Sequence, residues 1–287
     1  MQIATNGISI ECRQYGPTNG VPLVLIRGLG TPMVYWPSEL IDGFTARGYH
    51  IIAFDNRDIG LSQRCPKPGI ASDADAIKAQ VEKGTVSEPA YHLDDMALDV
   101  IGLLDALDIE RAHVFGISMG GGIAQILAIH HAHRLLSATM VMTSSHFRSL
   151  TRLDDLLAYP QTRIEFQQSW VQANHQWGGP QDRDDDDGLR TQAAMAWDQG
   201  YDPQAVNRQC LAIACSTSRE SGLKTVELPC HVIHGTNDGL LPLEDGQAVA
   251  ELIPNARFTP IEGMGHAISG KLAPVIVEHV DRFIAER

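Results

Sequence analysis

The chain has 287 residues, 44% apolar and 20% charged, which is enough apolar content to bury a large core and too much for intrinsic disorder. Lys and Arg number 22 against 35 Asp and Glu, a formal charge of −13, so the basic face with which a nucleic-acid binder displaces counterions is missing. Charged or turn residues interrupt every apolar run well before the roughly 18 positions of a membrane span, and residues 1–7 lack the basic-then-apolar build of a signal peptide. The 5 cysteines (Cys12, Cys65, Cys210, Cys215, Cys230) are odd in number, widely spaced and without a CxxC pair, which fits reduced thiols better than a disulfide framework or a zinc site. A soluble, globular, cytoplasmic protein is expected, with no nucleic-acid or membrane partner; oligomeric state is not readable.

Short β-branched runs alternate with helix-length segments along the chain. An Asn6-Gly7 turn inside 2–15 predicts an antiparallel hairpin. Val21–Ile26 reads as a buried strand that ends at Arg27-Gly28-Leu29-Gly30, 37–48 as a helix, and 50–54 as the next strand. Residues 93–107 place Leu93, Met96, Ala97, Val100, Ile101 and Leu104 on one helical face. A strand over 112–115, a helix over 119–131 and a strand over 137–142 follow. After a long interval come a strand over 230–234, a helix over Leu243–Leu252, a strand over Arg257–Ile261 and a helix over 274–285. This alternation predicts a doubly wound α/β domain with a mostly parallel sheet covered on both faces.

Residues 146–224 break the rhythm. They lack convincing strands and hold Trp170, Trp177 and Trp197, three of the 4 tryptophans. An insertion between two strands of such a sheet sits over the strands' C-terminal ends, where ligands bind. The expected organisation is a core from 1–145 and 225–287 with an inserted, mostly helical cap over 146–224. The acidic run 182–187 is read as a solvated loop of that cap. As a calcium loop it fails, because the sixth position counted from Asp182 is Asp187 rather than glycine and the twelfth is Ala193 rather than glutamate. No metal site is expected.

Gly116-Ile117-Ser118-Met119-Gly120 fits G-x-S-x-G between an expected strand and an expected helix, the context of a strained turn that exposes a serine. A serine hydroxyl is a poor nucleophile until a base takes its proton, and histidine titrates near neutrality. Of the 12 histidines, His266 lies in a loop after strand Arg257–Ile261, which opens onto the same sheet edge as Ser118. His146 is the one serious rival. His234 reads as a core residue, and His130, His131 and His133 as helix-end residues that suit the dipole. Asp238 follows the 230–234 strand in a turn-rich loop at that same edge and is the acid expected to orient His266. An oxyanion formed at Ser118 would need donors, and the amides of Met119 and Leu29 are the expected ones, with Gly28 and Gly30 allowing close approach. Trp36, Trp170, Trp177 and Trp197 are candidate pocket residues.

With these residues in view the chain resembles the α/β-hydrolase superfamily along essentially its whole length: Gly28-Leu29-Gly30, the stretch Phe54-Asp55-Asn56-Arg57-Asp58-Ile59-Gly60-Leu61-Ser62, and the Ser118, Asp238 and His266 loops in order. The 54–62 stretch is most similar to a bacterial esterase group described as like aclacinomycin methylesterase. The resemblance implies an α/β-hydrolase fold, ester hydrolysis through an acyl-serine intermediate on a small-molecule ester, and no cofactor. Ser118 argues against the haloalkane and epoxide hydrolases of the family, which carry aspartate there. Arg27 departs from the family pattern, since many relatives have histidine before the oxyanion glycine. It either contacts a substrate carboxylate or stabilises the loop. Asp55, Arg57 and Asp58 are read as fixing their own loop through ion pairs and turn hydrogen bonds. The function expected is a serine carboxylesterase. The alternatives are a lactone or carbon–carbon bond hydrolase with the same triad, or a non-catalytic binding protein on this scaffold.

Overall fold

Asn6 and Gly7 have φ of 44° and 76°, the two left-handed residues that a tight hairpin turn requires, and they join β1 (Gln2–Thr5) to β2 (Ile8–Tyr15). The structure is a computed structural model, described here for residues 1–86, 88–147, 156–180 and 183–287. The chain continues through β3 (Val21–Ile26), α1 (Ser38–Thr45), β4 (Tyr49–Phe54), α2 (Ala74–Glu82), α3 (Leu93–Ala106), β5 (Ala112–Ile117), α4 (Met119–His130) and β6 (Leu135–Val141). Then come α5 (Arg163–Trp177), α6 (Asp186–Asp198), α7 (Pro203–Ala214), α8 (Glu220–Leu223), β7 (Cys230–Gly235), α9 (Leu243–Leu252), β8 (Arg257–Ile261) and α10 (Ala273–Ala285).

The strands form one 8-stranded sheet in the order β1-β2-β4-β3-β5-β6-β7-β8. β2 runs antiparallel to β1 and β4, and every other pairing is parallel. Successive side chains of a strand point to opposite faces, so β3 sends Val24 and Ile26 one way and Leu23 and Leu25 the other. The first pair packs with Val100 of α3 and Ile123 and Leu127 of α4. The second packs with Leu40 and Phe44 of α1 and Ile276 and Val280 of α10. Both faces are therefore covered, which is why β4, β5 and β7 are buried along their full lengths.

This topology creates the crevice. After β3 the chain crosses to β4 on one side and later returns to β5 on the other, so the connections diverge between β3 and β5. Ile26 pairs with Gly116, so the loop after β3 and the turn after β5 leave the sheet side by side.

Two elements differ from the sequence expectation. α2 has no expected counterpart; Asp73 starts it by accepting a hydrogen bond from the Ala76 amide at 3.0 Å. The acidic run is not simply a loop, because α6 begins within it. Asp185 caps α6 by accepting from the Gly188 amide at 2.8 Å, and Asp186 and Asp187 occupy its first turn, where negative charge suits the helix dipole. Asp182 lies outside the described residues.

Candidate active site

β5 ends at Ile117 and α4 begins at Met119, leaving Ser118 alone to make the turn at φ 54° and ψ −119°. A non-glycine residue with positive φ is strained and must be held by its surroundings. Here the Ser118 amide donates to Val141 O at 2.9 Å, while its carbonyl accepts from Thr143 Oγ1 at 2.9 Å and from the Gly122 amide at 3.1 Å. The flanking glycines are steric necessities: a β-carbon on Gly116 would lie 2.1 Å from Gly120 O, and one on Gly120 would lie 2.3 Å from Ile26 O. The turn thus presses α4 onto β5 and β3, and presents the Ser118 hydroxyl at the crevice.

The loops after β7 and β8 carry the partners. They are joined by hydrogen bonds from the Asn237 amide to Met264 O at 3.0 Å and from the Gly263 amide to Thr236 Oγ1 at 2.9 Å. His266 Nε2 lies 2.9 Å from Ser118 Oγ, and His266 Nδ1 lies 2.7 Å from Asp238 Oδ2. The other Asp238 oxygen accepts from the amides of Leu240 at 2.9 Å and Leu241 at 2.8 Å. Burial pushes the Asp238 carboxyl up. The charge of His266 and hydrogen bonds from His234, His266 and the Leu241 amide outweigh that penalty and hold it well below the ordinary carboxylate range. An ionised carboxylate only accepts, so Nδ1 of His266 carries the proton and Nε2 is left to accept from the serine hydroxyl.

His234 is a core residue, as the sequence suggests, and it also contacts the acid. It is fully buried in β7, with Nε2 3.0 Å from Leu241 O and 3.5 Å from Asp238 Oδ2, so it braces the acid loop from below. Its spacing of four from Asp238 is the only signal of that contact the sequence offers. His146 is exposed, and its contacts in the structure are backbone ones with Ser144.

Across the crevice, Gly28 backs directly on the serine: a β-carbon there would sit 3.2 Å from Ser118 Cβ. Gly30 takes φ 66°, and its amide donates to Gln209 Oε1 of α7 at 2.9 Å. The neighbouring Leu29 amide meets no acceptor among the described residues. Met119 is the first residue of α4, where a helix leaves amides without intrahelical acceptors. The 54–62 loop is held as the sequence suggests. Asp55 accepts from the amides of Met33 at 2.7 Å and Leu61 at 3.0 Å, and Arg57 grips Asp99 through contacts of 2.7 and 2.6 Å. Asp58 pairs with Arg208 of α7 through contacts of 2.9 and 2.6 Å.

A cavity of about 160 Å³ is bordered by Ser118, His266, Arg27, Leu29, Trp170 and Trp177. A wider hollow of about 650 Å³ shares Leu29, Trp170 and Trp177 with it. The four candidate tryptophans divide. Trp170 and Trp177 border the cavity, whereas Trp36 and Trp197 do not. Trp36 is buried against Phe115, with ring centroids 5.7 Å apart, and carries the Arg27 guanidinium 4.5 Å above its ring. Trp197 stacks on Tyr201 at 5.5 Å in a small aromatic cluster with Phe166. No group of three or more His, Cys, Asp or Glu among the described residues is disposed to hold a metal ion, and the His130–His133 cluster is no exception. All 5 cysteines are free thiols, and no described helix is long and apolar enough to cross a membrane.

A doubly wound sheet with a serine on a strained strand-to-helix turn, and acid and base loops at the same edge, defines the class: the chain belongs to the α/β-hydrolase fold family, whose model matches residues 21–270. Among curated relatives it is 24% identical over 292 residues to rhodomycin D methylesterase DnrP of Streptomyces peucetius, covering 93% of this chain and 91% of that protein. It is 27% identical over 277 residues to a non-heme chloroperoxidase of Streptomyces lividans, covering 92% and 91%. Among solved structures it resembles the enol-lactonase of Burkholderia xenovorans LB400 with a TM-score of 0.75 at 22% identity, covering 99% of this chain and 100% of that one.

Proposed function

We propose that the protein is a carboxylic ester hydrolase in which Ser118, His266 and Asp238 act as a catalytic triad. The observation that carries the reading is the pair of hydrogen bonds linking them, 2.9 Å from serine to histidine and 2.7 Å from histidine to aspartate. His266 takes the Ser118 proton as the hydroxyl attacks the ester carbonyl, and Asp238 stabilises the resulting imidazolium. The amides of Leu29 and Met119 face the developing oxyanion; losing one such donor typically costs about 10² to 10³ in rate. His266 then protonates the leaving alcohol, and water repeats the sequence on the acyl-serine to release the acid. Residues 146–224 act as a cap whose Trp170 and Trp177 wall the cavity. The methylesterase relative supports an ester as the bond cleaved.

Hydrolysis of p-nitrophenyl esters from acetate to palmitate, with Ser118→Ala as control, tests this. Turnover that favours short chains and falls on the order of 10⁴-fold or more in the variant is expected. Activity surviving in Ser118→Ala sinks the mechanism. A folded wild-type protein inert on every ester but active on lactones or β-diketones moves the same triad to another bond.

A further inference from the structure

Arg27 is buried at 7% exposure, yet it has no carboxylate partner among the described residues. The other buried arginines are matched. Arg57 has Asp99, Arg208 has Asp58, and Arg219 gives each of its nitrogens an acceptor in Gln125 Oε1, Thr217 O and Ser144 O. Among the described residues Arg27 reaches only Thr31 Oγ1 at 3.2 Å and Tyr35 O at 3.5 Å, and Nη2 has no acceptor. Nη2 is not one of the sealed, partnerless polar atoms, so it faces open space, and the open space Arg27 borders is the cavity over Ser118. Stacking on Trp36 at 4.5 Å and lying 5.8 Å from the Tyr35 ring, the guanidinium is held rather than free to swing out to water. Burial lowers its pKa to about 10, which leaves it charged at neutral pH.

Tyr35 borders the same cavity but keeps its hydroxyl sealed inside the wall, a buried polar atom with no partner among the described residues. A buried charge left without a counter-charge is strongly destabilising. The cavity wall also carries Arg183 and Asp184, one charge of each sign, and Asp184 accepts from Gln192 Nε2 at 2.7 Å. Arg27 Nη2 is therefore an unmet cationic donor, and it faces a space where a ligand's carboxylate can satisfy it.

We propose that Arg27 forms a carboxylate subsite, so that the preferred ester carries a carboxylate a few bonds from its scissile carbonyl. This specifies the substrate class of the ester reading and rests on it. The cavity of about 160 Å³ sets the size. An apolar space of about 150 Å³ accepts a benzene-sized molecule, which points to half-esters of short dicarboxylic acids of roughly four to six carbons.

Two measurements test the subsite, and one needs no turnover. Glutarate binding to Ser118→Ala protein, by calorimetry, is compared with binding of uncharged glutaramide. Glutarate should bind the more tightly, and adding Arg27→Met should weaken it by about 10- to 100-fold, with Arg27→Lys between, because lysine keeps the charge but not the fork. In the active enzyme, kcat/KM for p-nitrophenyl hemiglutarate over that for p-nitrophenyl pentanoate should exceed tenfold, and Arg27→Met should lower that ratio at least tenfold. Glutarate binding no tighter than glutaramide, or a wild-type ratio near or below one, overturns the proposal even if the variants fail to fold. Arg27-dependent glutarate binding by a protein that hydrolyses no ester keeps the subsite and discards the esterase. Ester hydrolysis without any preference for the charged substrate does the reverse.

Discussion

An ionised carboxylate accepts hydrogen bonds and donates none, so the charge on Asp238 decides which nitrogen of His266 carries the proton. Asp238→Asn keeps the shape but offers an NH₂ group to Nδ1. The imidazole then takes the tautomer with its proton on Nε2, facing Ser118, where it cannot act as a base. With its carboxylate lost, the kcat for ester hydrolysis should fall on the order of 10⁴-fold while the thermal midpoint shows the protein still folded. A loss below tenfold would remove Asp238 from the proposed triad. At this scale the sequence was informative where a residue follows the C-terminal end of a parallel strand, because topology then dictates which edge it occupies. Ser118, Asp238 and His266 all do so, and they meet. Trp36 was less legible: it leaves a short 3₁₀ turn, Met33–Tyr35, and no periodicity tells which way its ring points. It turns into the core and becomes the plate under Arg27. The absence of an acid beside Arg27 could not be read either, since it depends on what every neighbouring element brings.

Helix ends, rather than helix faces, position His266. The C-terminal end of α5 lies against the β8–α10 loop, where the His266 amide donates to Trp177 O at 2.6 Å. A β-carbon on Gly265 would sit 2.1 Å from the Gly179 amide nitrogen and 2.4 Å from Trp177 O, so only glycine lets the two backbones touch. Gly265→Ala should force the loop off α5 and carry the imidazole with it, and a misplacement of about 1 Å can cost on the order of 10²-fold in kcat. Steady-state kinetics beside a urea melt will distinguish this from unfolding; a kcat within threefold of wild type would show the contact to be incidental. α7 is anchored by charge. Arg208 and Asp58 are 4% and 0% exposed at the side chain, and Tyr91 adds a 2.6 Å hydrogen bond to Asp58. Replacing Arg208 with methionine leaves that carboxylate buried without its counter-charge and should cost about 3–5 kcal/mol in urea unfolding. A cost under 1 kcal/mol would mean that Tyr91 and the Cys65 amide, which donates to Asp58 Oδ1 at 2.8 Å, suffice. The helices over 163–214 were hard to bound from sequence because some bury so little: α5 buries only Phe166, whereas α7 buries Ala205 through Ile213 and shows almost no polar face. Their starts were chemically marked, by the Thr162–Glu165 capping box and by Asp202 before Pro203.

Over the whole molecule the sheet was legible because its strands are continuous apolar runs, the signature of strands buried on both faces, and the same burial traps four histidines inside it, His50, His113, His231 and His234. His113 of β5 lies 2.7 Å from Ser137 Oγ, and His231 of β7 lies 2.9 Å from Thr259 Oγ1. Burial, with Arg111 nearby, lowers His113 from 6.5 to about 4; burial, with Arg257 and His279, lowers His231 to about 3. The unfolded chain takes up protons at these positions as pH falls below about 6.5, while the folded protein refuses them until the lower values are reached. Their contribution to stability is thus whole above about pH 6.5 and is lost progressively as pH falls towards 4 and 3. Each histidine supplies a slope of about 1.4 kcal/mol per pH unit within its window. Other buried groups titrate too, and Asp55 and Asp99, raised by burial, act in the opposite sense. A difference experiment isolates the histidine. The unfolding free energy of wild type minus that of His231→Gln, measured in urea at several values between pH 7.5 and 4.5, should decline with about that slope below pH 6.5. A difference that stays flat across the range would mean that His231 accepts a proton in the folded sheet, and that the interior around β7 admits water.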